Sequence, residues 1–178
     1  MLDSRRTFCG GLALALALPS ARALDGPPTI AVLPLDFLDD HQNPATVQAQ
    51  LRRLAQAHVQ LQQELQSRGL YRVADLAPAR TLVDESLATQ AYLYRCPDCA
   101  ARVGRKLGTE LVMTSWVQKV SELILNFNVE VFRVASERSV LAKSVDMRGN
   151  EDVSWERAVR YLVRDMAEKR AADPGYGV

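Results

Sequence analysis

The chain has 178 residues, 48% of them hydrophobic, with 22 basic and 21 acidic residues and a net charge of +1. That apolar share excludes a disordered chain, and the balanced charge gives no electrostatic footprint for nucleic acid or an anionic membrane surface. The length suits one domain around one core.

The N-terminus reads as an address. Ser4-Arg5-Arg6-Thr7-Phe8 is followed by an apolar run from Cys9 to Leu18 and by Ala21-Arg22-Ala23. A charged start, a short apolar stretch and a small-x-small site predict an export signal over residues 1–23, cut after Ala23. The run is about half of what a bilayer span needs, so no membrane-spanning segment is expected. The paired arginines, the mild hydrophobicity of the run and Arg22 beside the cut resemble a twin-arginine signal, the alternative being the general secretory route. The expected location is the periplasm, as a soluble exported protein. Removing residues 1–23 leaves 155 residues with 19 basic and 20 acidic, a net charge of −1.

Thr29 to Leu35 is a continuous apolar run with β-branched residues and predicts a strand buried on both faces, with Pro34 at its end. Asp36 to Pro44 is polar and predicts a loop. Asp36, Asp39 and Asp40 are read there as solvated, with metal binding or acid–base work as the alternative. Val47, Leu51, Leu54, His58, Leu61 and Leu65 recur at helical spacing, so Val47 to Arg68 predicts a long helix stopped by Gly69. Leu70 to Ala74 predicts a second strand. Asp75 to Gln90 suits a turn and a short helix, and Ala91 to Arg95 a short strand.

Asp98 or Cys99 begins a helix that ends at Gly108. Glu110 to Val120, Glu122 to Val134 and Val140 to Met147 predict three strands, the last two joined at Ser136-Glu137-Arg138. In the middle one, Leu123, Leu125, Phe127, Val129 and Val131 alternate with Ile124, Asn126, Asn128, Glu130 and Phe132, so one face is apolar and the other mostly polar, as in a strand with one wet side. Asp152 or Ser154 caps a final helix that buries Trp155, Ala158, Val159, Leu162, Val163 and Met166. Residues 171–178 are expected to form a flexible tail. The order of strand, long helix, strand, helix, three strands and helix predicts an α/β protein (an α+β mixed sheet), with residues 24–170 as one domain.

Cys96-Pro97-Asp98-Cys99 holds the remaining cysteines. In an oxidising compartment the pair predicts a local disulfide. C-x-x-C ahead of a helix also suits thiol–disulfide exchange, because a helix N-terminus lowers a thiol pKa. Ala100 removes the histidine that haem attachment requires. A zinc site needs two more ligands, and only His41 and His58 exist. Phosphate loops, nucleophile elbows, zinc-protease and calcium motifs are missing. No catalytic residue, cofactor or metal ligand is therefore assigned.

From Cys99-Ala100 through Gly104, Leu107-Gly108, Trp116 to Ser121, Leu123 to Asn126, Val145 to Asn150 and Ser154-Trp155, the sequence resembles an uncharacterised family of secreted bacterial proteins, domain of unknown function 2380. Ile30 to Leu33 and Gly69 to Val73 fit it too. At fold level this is similar to the N-terminal domain of TolB and to CsgG-like envelope domains, which implies an interaction module. The expected function is thus that of a non-catalytic accessory protein that binds a periplasmic or envelope partner. Its expected contact surface is Asn126, Asn128 and Glu130 with Asp146, Arg148, Asn150 and Asp152. A thiol-active protein using Cys96 and Cys99, or a small-ligand or metal carrier, is the alternative.

Overall fold

The computed structural model describes residues 26–40 and 43–178. The expected export signal and His41 lie outside them. Strand β1 (Thr29–Val32) is buried on both sides, with Ile30, Ala31 and Val32 fully enclosed. It runs parallel to the short β3 (Arg72–Val73) and to β4 (Leu111–Lys119). Pro34 breaks the ladder, as its missing N–H requires. The chain then resumes pairing as β2 (Asp36–Asp39), parallel to the second half of β4, with Asp36 opposite Trp116. This corrects the expected loop. Acidic residues occupy the strand because each finds an internal partner: Asp36 accepts the Tyr94 N–H at 2.8 Å, and Asp39 the Lys119 Nζ at 2.9 Å.

Strands β4, β5 (Ile124–Arg133) and β6 (Arg138–Arg148) form the antiparallel meander read from the sequence. The open mixed sheet has the order β3-β1-β4-β5-β6, with β2 beside β4. Glu137 makes the β5–β6 turn at φ 55°, and its carboxylate accepts from Arg105 at 2.7 Å.

Two 21-residue helices, α1 (Val47–Ser67) and α4 (Asp152–Ala172), cover one face. Helix α4 buries all six residues of its expected stripe, with Trp155 only 2% exposed. Helix α1 is rotated from expectation. Its buried line runs through Gln50, Ala57, Leu61 and Leu65, while Leu51 is 54% exposed. The helix packs on α4 as well as on the sheet, and Ala57 lies in the cleft facing Trp155 and Glu156. His58, half-buried, stands beside this line rather than on it, and burial lowers its pKa.

Helices α2 (Arg80–Thr89) and α3 (Pro97–Leu107) cover part of the other face, around Ala31, Leu33, Val112, Phe132 and Val134. Residues 91–95, read as a short strand, instead hold a 3-10 turn over Leu93–Arg95. Gly108 ends α3 in the left-handed region (φ 66°). Gly104 lets α3 approach β5, since a Cβ there would lie 2.4 Å from Val134 Cγ2.

Residues 171–178 do not extend away from the fold. Helix α4 continues through Ala172, and the chain folds back so that Tyr71 Oη donates to the Gly177 carbonyl at 2.8 Å. Arg170 donates to the Tyr176 carbonyl and, at 3.0 Å, to Tyr71 Oη. Hydrogen bonds to a buried phenol offset the chain entropy that argued for fraying.

Candidate functional site

Alternation along β4, β5 and β6 divides their side chains. Met113, Val117, Leu125, Phe127, Val129, Val131, Leu141 and Met147 face α1 and α4. The intervening residues face the other way, and only those near Val112 and Phe132 are covered by α2 and α3. Beyond them no described element covers the sheet. Strand register sets Asp36, Trp116, Asn128 and Ser144 in one row, and Leu38, Gln118, Asn126 and Asp146 in the next. Glu130 lies between Thr114 and Ala142. Ala142, Ser144, Asp146 and Arg148 are exposed, and Asn126, Asn128 and Glu130 are half-buried.

The polar groups are only partly used. Asn126 Nδ2 donates to Asp146 Oδ1 at 2.6 Å, and Asn128 Nδ2 to the Asn126 carbonyl at 3.2 Å. One border of the open area is aromatic. Tyr94 stacks on Trp116 at 4.4 Å between centroids, Tyr92 packs on Tyr94, and Arg95 lies over both tyrosines. Asp36 holds this border: its carboxylate takes the Tyr94 N–H, and burial raises its pKa against that hydrogen bond. The aromatic border was missed from sequence because Tyr92 and Tyr94 are brought to Trp116 by the 3-10 turn.

Of the expected contact residues, Asn126, Asn128, Glu130 and Asp146 share this face, with Arg148 exposed at its end. Asn150 and Asp152 are elsewhere and are engaged internally. Asn150 Oδ1 accepts from Trp155 Nε1 at 3.0 Å and Arg53 Nη1 at 3.3 Å, while its Nδ2 donates to Glu122 at 3.0 Å. Asp152 accepts from Arg53 Nε at 2.6 Å, and the arginine holds its carboxyl below the usual range. Neither expected cap operates: Glu151 is the N-cap residue of α4, and Ser154 Oγ donates to the Arg148 carbonyl at 2.9 Å.

Cys96 and Cys99 form a disulfide at the start of α3, with Cys99 buried and Cys96 Sγ accepting the Cys99 N–H at 3.3 Å. A 3-10 turn, not a sheet strand, precedes them. Among the described residues no three His, Cys, Asp or Glu side chains are grouped to hold a metal ion, and no helix is long and apolar enough to cross a membrane.

No curated protein sequence matches the chain. Solved structures match in fold at low identity. Lipoprotein GNA1162 from Neisseria meningitidis is 16% identical with a TM-score of 0.50, over 83% of this chain and 99% of that one. The PelC dodecamer from Paraburkholderia phytofirmans is 12% identical with a TM-score of 0.50, over 77% and 86%. TolB from Acinetobacter baumannii is 14% identical with a TM-score of 0.47, over 84% of this chain and 29% of that one. At these identities the likeness is one of fold. The family model described as a protein of unknown function (DUF2380) matches residues 28–166, and the chain belongs to that family.

Proposed function

We propose that this protein is a non-catalytic accessory factor that docks an envelope or periplasmic partner protein on the open half of its sheet. The observation that carries this is the unequal covering of the two faces. One is sealed by two long helices, whereas the other leaves Asn126, Asn128, Glu130 and Asp146 beside the Tyr94–Trp116 stack. A flat area with free hydrogen-bonding groups and an aromatic anchor matches the makeup of protein interfaces, where aromatic residues dominate the energy. The fold shared with lipoprotein GNA1162 supports an envelope setting, and the expected signal over residues 1–23 supports export.

The test is capture of crosslinked partners from the periplasm with N128R/E130R. Both side chains are half-buried on the open face, and neither holds the core. Melting should stay unchanged while specific capture is lost. Capture at the wild-type level would remove this face from the account. Fractionation addresses the setting separately: the chain should be recovered from the periplasm in processed form.

A further inference from the structure

The outer edge of the sheet, which borders the open face, offers a second surface for backbone pairing. Strand β6 is eleven residues long and stands last in the sheet order. The parity of its pairing follows from two bonds at the start of β5. Gly149 N–H donates to the Leu123 carbonyl and Val120 N–H to the Ile124 carbonyl, each at 3.0 Å. Antiparallel pairing alternates, so Leu141, Lys143, Val145 and Met147 direct their backbone groups to β5. Ala142, Ser144 and Asp146 direct theirs outward. Among the described residues no backbone group pairs with them. No proline interrupts the edge there, among the described residues no segment covers it, and its register shift lies earlier, opposite Val131 and Phe132. An uncovered edge of this kind is a template for another strand.

Beside the edge lies a groove of about 560 Å³ between β6 and α4, lined by Ser144 to Arg148 and by Ser154, Arg157, Ala158 and Tyr161. Its charge is one-sided. Lys143 pairs with Asp165, which Lys169 also meets at 3.2 Å, Arg160 with Glu156 and Arg164 with Glu168. Arg148 and Arg157 form no ion pair among the described residues, and both are exposed. The groove's one carboxylate, Asp146, is turned to Asn126 on the open face. Tyr161, half exposed, supplies an apolar wall.

We propose that β6 accepts an extended acidic segment of a partner protein as an added strand. Main-chain bonds would form at Ala142, Ser144 and Asp146, and Arg148 and Arg157 would meet its carboxylates. Strand addition gets affinity from the backbone and selectivity from alternate side chains. The stretch from Ala142 to Arg148 spans about 20 Å at ~3.3 Å per residue, room for carboxylates on alternate residues. A second copy of this chain is a poorer match, since the edge strand it would bring carries Arg138, Lys143 and Arg148 against one carboxylate, Asp146.

The test uses three ten-residue peptides, measured by fluorescence anisotropy on the full chain: alternating Glu-Val, alternating Lys-Val, and Glu-Val with alternate backbone nitrogens methylated. The plain acidic peptide should bind saturably, and both others at least tenfold more weakly. S144P removes an outward N–H that no internal bond uses, at an edge position where proline is tolerated. It should weaken the acidic peptide at least tenfold, as should R148E/R157E. N128R/E130R should bind it like wild type, so loss of the open-face reading leaves this one standing, and the reverse. Equal binding of the methylated peptide, or no binding of the plain one, would overturn strand addition. So would a dimer of the chain alone that S144P dissolves, because the edge would then be occupied by a second copy. If S144P does not fold, the methylated peptide decides.

Discussion

Replacing Asn150 by Ala should cost far more than its place in an exposed turn suggests. Its side chain takes the Trp155 Nε1–H and an Arg53 N–H and donates to Glu122. Trp155 is 2% exposed, and the alanine would leave its indole N–H without that acceptor. An unsatisfied buried donor costs about 1–3 kcal/mol, and the two more exposed bonds add at most about 1 kcal/mol together. The expected loss is about 2–3 kcal/mol. For a chain of this size that lowers Tm by roughly 5–10 °C. Urea unfolding followed by Trp fluorescence measures it directly. W155F removes the donor, so N150A should cost less in the W155F background, by about 1 kcal/mol or more. N128A/E130A should stay within about 0.5 kcal/mol, as surface changes do. A loss below about 0.5 kcal/mol for N150A, or additive behaviour with W155F, would refute the assignment of Asn150 to the scaffold.

Three further outcomes are expected. G104A places a methyl against the stiff side chain of Val134 and should destabilise by about 1–2 kcal/mol despite alanine's better helix propensity, with V134A restoring part of the loss in a double-mutant cycle. Burial raises the Tyr71 pKa, so its contribution is complete below its ordinary value of about 10 and is lost as pH rises through the raised one; Y71F should flatten that alkaline limb of a pH–stability curve. C96S/C99S should cost at most about 2 kcal/mol in chemical denaturation, because the bridge spans a sequence separation of 3 and closes a very short loop.

The elements that the sequence made legible are those whose pattern is self-contained. Helix α4 carries its whole stripe on one face, β5 alternates residue by residue, and β1 is continuously apolar, so each is recoverable from spacing alone. Strand β2 was hidden because Asp36 and Asp39 look like solvent residues until Tyr94 and Lys119, far along the chain, supply their partners. The rotation of α1 is set by α4, more than 80 residues away, and local periodicity carries no record of it. The same holds for the tail, since nothing near Gly177 announces that Tyr71 will bind its carbonyl. Within the candidate site, Asn126, Asn128 and Glu130 were visible as the polar half of an alternating strand. Asn150 and Asp152 read as equally polar, and only the fold separates scaffold residues from surface residues.

Site-specific photocrosslinking in the periplasm tests the central claim most directly. A photoreactive residue at position 128, on the open face, should yield a discrete adduct with one envelope or periplasmic protein. The same residue at position 59, exposed on the outer side of α1, should yield none. No adduct from position 128, or the same adduct from both positions, would contradict the assignment of the open sheet face as the docking surface.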